Sequence, residues 1–318
     1  MLAVLAVTFP FFALVLCGYL AARYRMLAPL AIPGLNGFVL FFALPCLLYR
    51  FGARTPIAQL LDPRILGIYL PCATLMVVLA VVATRRGAMG WNDAAFGALV
   101  TAFPNTGFMG VPLLAALVGS AAAGPVIQTV AVDMLFTSSL CLALSRLDGA
   151  GAQGVLQALR VALRGMVANP LPWAILAGVL ASAAGFHLPG PLDKTVSLLA
   201  DAAAPVALFT IGAVLARSQM GHDAPVPWRD YAPLALAKLL LHPLLLLAAC
   251  ALAARLGFGL ERGARNALVL VGALPSASNV ALLAERYGAH NGRIARIILV
   301  STTLAFLTFS GAVTLLVG

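Results

Sequence analysis

A chain of 318 residues that is 62% hydrophobic and only 9% charged cannot build a water-soluble surface, since soluble domains carry about 25% charged residues. With a mean hydropathy of +1.02 it reads as a polytopic, all-α membrane protein. The net charge of +10 resides in basic residues that flank apolar runs; these suit anionic lipid headgroups and do not imply nucleic acid.

Ten apolar runs of about 20 residues, the length a helix needs to cross the hydrocarbon core, fall near 2–22, 30–49, 64–84, 94–118, 124–145, 170–186, 195–216, 232–254, 265–284 and 294–317. The first is not expected to be a cleaved signal, because its basic residues, Arg23 and Arg25, follow the apolar run rather than precede it. Loops on one side of the membrane hold twelve basic residues against seven on the other. By the positive-inside rule both termini are expected outside. Between spans five and six, residues 149–168 place Gln153, Gln157, Arg160 and Arg164 on one helical face and Val155, Leu156, Leu159, Leu163 and Met166 on the other. That pattern predicts an amphipathic connector in the cytoplasmic interface.

The fourth and ninth runs are interrupted. Phe103-Pro104-Asn105-Thr106-Gly107 and Leu274-Pro275-Ser276-Ala277-Ser278-Asn279 set proline and polar side chains inside apolar stretches. Proline removes a backbone N–H and clashes with the preceding turn. In hydrocarbon such a break survives only where it is buried in protein or lines a cavity. Matching breaks in the two halves are the sign of a transporter site near the midplane. Other prolines repeat in the same order: Pro10, Pro45, Pro71 and Pro104 correspond to Pro172, Pro205, Pro243 and Pro275, offset by 160 to 172 positions. Five spans per half require the second copy to insert upside down, so residues 1–148 and 169–318 are expected to be inverted repeats.

Polar groups inside the spans supply the candidate site. Pro104, Asn105, Thr106, Pro275, Ser276, Ser278 and Asn279 are candidates for substrate binding, since a half-helix starting at each break offers free N–H groups and a positive dipole end to an anion. The side chains could equally cap the new helix starts. Ionisable residues in a membrane are costly and therefore functional candidates: Asp133, Asp201, Lys238 and His242 are read as charge-coupling groups. Lys238 either offsets a substrate anion, pairs with Asp133 or Asp201, or snorkels. His242 either relays protons or bonds a carbonyl freed by Pro243, and Asp201 could cap a helix. Cys17, Cys46, Cys72, Cys141 and Cys250 sit in apolar runs without metal-ligand spacing, and the four histidines are scattered. No metal or other cofactor is expected.

Phe103 to Leu113, F-P-N-T-G-F-M-G-V-P-L, resembles the fourth-span signature of the auxin efflux carrier family. Asn169-Pro170, Pro205-Val206-Ala207-Leu208-Phe209, Lys238 to Pro243 and Ala284 to Gly288 fit in order. The resemblance covers essentially the whole chain. It implies ten transmembrane helices in two inverted five-helix repeats, related to bile-acid symporter and sodium/proton antiporter folds, with broken helices four and nine crossing in a transport part beside a scaffold part. Members of the family move small organic anions, auxin in plants and dicarboxylates such as malate or malonate in bacteria. The plant carriers often have a long hydrophilic central loop. Here that loop is short, so a bacterial-type permease of the inner membrane is expected. Its partners would be an organic anion, a proton or sodium ion for coupling, the lipid bilayer and a second copy of the chain. A sodium-coupled bile-acid-like symporter and a channel remain alternatives. An enzyme is not expected, because no clustered catalytic set is present.

Overall fold

In hydrocarbon a backbone must satisfy its own hydrogen bonds, which helices do within one segment. The computed structural model describes residues 2–54, 62–85, 89–147, 170–220 and 226–317; the expected connector at 149–168 lies outside them. The described chain is helical: α1 (Leu2–Arg23), α2 (Ala31–Arg54), α3 (Pro63–Arg85), α4 (Trp91–Ala102), α5 (Val111–Val118), α6 (Ala123–Leu144), α7 (Pro170–Ala184), α8 (Gly190–Met220), α9 (Trp228–Arg255), α10 (Arg262–Ala273), α11 (Asn279–Arg286) and α12 (Asn291–Leu316). Among the described residues six stretches are long and apolar enough to cross a membrane, in α2, α3, α6, α8, α9 and α12. Phe9–Arg23 and Trp173–Ala184 are shorter apolar helices. The expected fourth and ninth spans are each split, into α4 with α5 and α10 with α11.

The helices pack in two groups. In the first, α1 lies along α8 and α7 lies along α2, with α8 also against α2. These contacts are backbone-close because glycine carries no Cβ: one built on Gly18 would run into the Phe209 carbonyl, and one on Gly212 into the Val15 carbonyl. Small residues at such crossings are how membrane helices gain packing without a hydrophobic driving force. The second group contains α3, α4, α6, α9, α10 and α12. Arg293, 3% exposed, ties one end of it together. Its guanidinium donates to the backbone carbonyls of Asp230 on α9 (2.8 Å) and Asp93 on α4 (3.1 Å), and to Thr84 Oγ1 on α3 (3.2 Å). Contacts between the groups are sparser and largely apolar; the rings of Phe12 on α1 and Phe306 on α12 meet edge to face at 5.2 Å.

Several helices widen locally into π-turns, at Val39–Ala43 in α2, Thr106–Gly110 before α5, Asp133–Thr137 in α6 and Ala237–Leu241 in α9. Three of these end two residues before a proline, at Pro45, Pro112 and Pro243. A proline cannot bond the carbonyl four residues back and its ring crowds it. The residue before each proline instead bonds five residues back: Leu44 to Val39, Val111 to Thr106 and His242 to Ala237. The turn in α6 has no such proline; Ser138 Oγ donates to the Asp133 carbonyl at 2.8 Å and holds it open. Such widened turns are frequent at functional sites, and these turn segments carry Thr106, Asp133 and Lys238.

Candidate functional site

The two breaks meet. Phe103 and Leu274 each precede a proline, which pushes them out of the helical region. They are extended, at φ −89°, ψ 104° and φ −62°, ψ 151°. The extended segments run antiparallel and form an isolated bridge between Pro104 and Ser276. Asn105 N–H donates to the Pro275 carbonyl at 2.8 Å, and Ala277 N–H donates to the Phe103 carbonyl at 3.0 Å. Each break thus supplies partners that the other lost, which lets non-helical backbone sit in the interior. On the following turns the Asn105 carbonyl accepts from Met109 and Gly110 N–H, both at 3.0 Å. Ser276 N–H donates to Ser301 Oγ on α12 at 3.2 Å. Gly110 leaves room for the Leu274 side chain, since a Cβ there would lie 2.6 Å from Leu274 Cδ1. Gly107 faces open space.

All seven substrate-binding candidates come together here. Pro104, Asn105, Thr106, Pro275, Ser276 and Ser278 are buried, and Asn279 is half-buried at the start of α11. Thr106 Oγ1, Ser276 Oγ and Asn279 Oδ1 are buried without a hydrogen-bond partner. Buried polar groups are normally satisfied, so these atoms point to a polar ligand or to water at the crossing.

Beside the crossing lies a buried polar network. Asp133 is fully buried in α6. Its Oδ2 accepts from Tyr69 Oη of α3 at 2.7 Å, and its Oδ1 from Thr137 at 3.0 Å. Lys238, also fully buried, donates to the Gly272 carbonyl at 2.7 Å and stands 3.0 Å from His242 Nδ1. Gly272 is three residues before Pro275, so the ammonium is anchored to the helix that carries the second break. That glycine also lets α10 press on α9; a Cβ would lie 2.6 Å from Leu246 Cδ1 and 3.2 Å from Pro243 Cα. The His242 ring lies 6.1 Å from that of Tyr69, and its Nε2 has no partner. Asp133 and Lys238 are each hydrogen-bonded to neutral groups rather than to each other. The two ion pairs among the described residues are Arg50–Asp201 and Arg64–Asp62, both 2.7 Å.

Asp201 therefore stands apart from the other three charge-coupling candidates. Its carboxylate is 66% exposed and holds α8 to α2 through Arg50. Along α8 every face is apolar, so the sequence does not reveal that this position turns away from the crossing. Two contributors escaped the sequence reading: Tyr69, which bonds Asp133, and Ser301, which accepts from Ser276 N–H. Tyr69 is a fully buried tyrosine, whose hydroxyl must find a partner. Gln128 and Thr302 hold buried orphan atoms. Their signal was a neutral polar side chain inside an apolar run.

A pair of broken helices bonded through their breaks, with unpartnered polar groups around them and a buried Lys–Asp network alongside, defines a multi-pass membrane transporter rather than an enzyme. Comparison with known proteins agrees. A family model described as "Membrane transport protein" matches residues 3–313. A putative malonate transporter of Rhizobium meliloti (strain 1021) is 31% identical over 315 residues, covering 95% of this chain and 92% of its own. Auxin efflux carrier component 8 of Arabidopsis thaliana is 26% identical over 265 residues, 67% of this chain and 72% of its own. The uncharacterized transporter YfdV of Escherichia coli (strain K12) is 24% identical over 294 residues, 88% and 87% of the two chains. The chain belongs to this membrane transport protein family, the auxin efflux carrier family.

Proposed function

We propose that the chain is a secondary active transporter of small organic anions, carboxylates such as malate or malonate or auxin-like weak acids, working by alternating access in a bacterial inner membrane. On this reading residues 1–148 and 169–318 are inverted five-helix repeats joined by 149–168, ten helices in all, with both termini outside. The single observation that carries it is the crossing at Pro104 and Ser276, ringed by buried polar atoms without partners on Thr106, Ser276 and Asn279. Asn105, Thr106, Ser276, Ser278 and Asn279 would bind the substrate. The starts of the two half-helices add partial positive charge of about half a unit each.

Lys238 supplies the full positive charge beside the crossing. An uncompensated ion at mid-bilayer costs several kcal/mol, so its ammonium would offset Asp133 in the empty carrier and the substrate anion in the loaded one. His242, whose Nδ1 stands 3.0 Å from that ammonium, would link transport to protons. The name of the Rhizobium meliloti relative supports a dicarboxylate as substrate. The test is counterflow of labelled malonate into proteoliposomes loaded with unlabelled malonate. A carrier gives transient accumulation; a channel gives none. Counterflow that requires sodium would favour the bile-acid-like symporter instead.

A further inference from the structure

Gln128 lies within α6, 4% exposed, and neither its Oε1 nor its Nε2 has a partner in the protein. Exchanging the amide oxygen and nitrogen changes nothing, because both ends are orphaned. The stretch Ala123–Val132 that carries it packs against the Thr106–Gly110 turn and against α10. The segment that carries the amide thus touches both broken helices. An amide presents two N–H donors and a carbonyl acceptor, and leaving either buried and unpaired in a low dielectric is costly.

A carboxylate only accepts hydrogen bonds. It can satisfy a donor such as Gln128 Nε2 and the orphan hydroxyls at the crossing, on Thr106 and Ser276. It cannot satisfy Gln128 Oε1, nor the orphan Asn279 Oδ1. We infer that Gln128 reads a hydrogen-bond donor on the substrate, so that the site selects a carboxylate that also carries a hydroxyl, an N–H or an un-ionised second carboxyl group. This rests on the anion-carrier reading above. A site built around a donor rejects the analogue lacking it, since its own acceptor is then left buried and bare.

Malonamate and monomethyl malonate are the discriminating probes. Both are single carboxylates of similar size, and only malonamate retains N–H donors. Each competes against labelled malonate for binding to the purified full-length protein. In the wild type malonamate competes at least about tenfold better. In Gln128→Leu malonate itself binds more weakly, and the two compete against it within about twofold of each other. Equal competition in the wild type, or undiminished discrimination in Gln128→Leu, overturns the inference. If Gln128→Leu does not fold, Gln128→Met takes its place, and the wild-type comparison already decides whether a donor is read. Failure of all three acids to bind removes the carboxylate-carrier reading and this inference with it; binding without discrimination removes this inference alone.

Discussion

Lys238 serves the fold as observed and, on the proposed reading, the transport cycle as well. It is fully buried, bonded to the Gly272 carbonyl and facing His242. Lys238 is hydrogen-bonded to the Gly272 carbonyl rather than to Asp133, which has its own partners in Tyr69 and Thr137, so removing the ammonium breaks no direct ion pair. Lys238→Met is therefore expected to fold, judged by monodisperse gel filtration, while malonate uptake falls at least about tenfold because the anion loses its counter-charge. His242→Gln should keep uptake but alter its pH profile. Wild-type uptake and pH dependence in both variants would make the pair structural. At the crossing, Asn105→Ala and Asn279→Ala are expected to weaken malonate binding by about 1–3 kcal/mol each with little change in melting temperature. Normal binding in both would leave the asparagines as helix caps alone.

At the scale of elements, close backbone approach does what side-chain burial does in a soluble protein. The α1–α8 contact depends on Gly18 and Gly212, where a Cβ would collide with a carbonyl of the facing helix. Gly212→Val is expected to force the two helices apart and to lower stability by more than about 2 kcal/mol, as overpacking does, read as a fall in melting temperature in detergent. Gly107→Ala is the matched control within the site region. Open space surrounds that position, so the substitution should leave the melting temperature close to that of the wild type. A Gly212→Val protein as stable as the wild type would show that α1 and α8 can slide apart freely.

The whole molecule divides along an apolar seam. One group of helices, α1, α2, α7 and α8, is packed through glycines; the other carries the crossing and is stitched at one end by Arg293. Alternating access in such an architecture is relative motion of two bodies about a fixed site. Phe12 and Phe306 touch across the seam, ring centroids 5.2 Å apart. With the native cysteines replaced, Phe12→Cys/Phe306→Cys bridged by a bifunctional methanethiosulfonate is expected to abolish malonate counterflow, and reduction of the bridge to restore it. Undiminished counterflow through the cross-linked protein would mean that these bodies do not move apart there.

Much of this was legible in the residues themselves, for a local reason. Spans can be read from apolar length, and the two breaks from Pro104 and Pro275, because proline acts on its own turn and on the residue before it. The family could be read from Phe103 to Leu113, since those residues shape that break. The partners of each group could not. Nothing in the chain states that Asn105 N–H would bond the Pro275 carbonyl, that Lys238 would anchor to Gly272, or that Tyr69 would hold Asp133. Asp201 and Asp133 look alike as single acids within apolar runs, yet one is 66% exposed beside Arg50 and the other fully buried. A helix that is apolar on every face does not announce which face turns inward. The sequence by itself determined where the backbone must leave the helix and which polar groups lie in the membrane. Only the tertiary structure decided which of them meet, because that depends on how each helix is rotated and pressed against its neighbours.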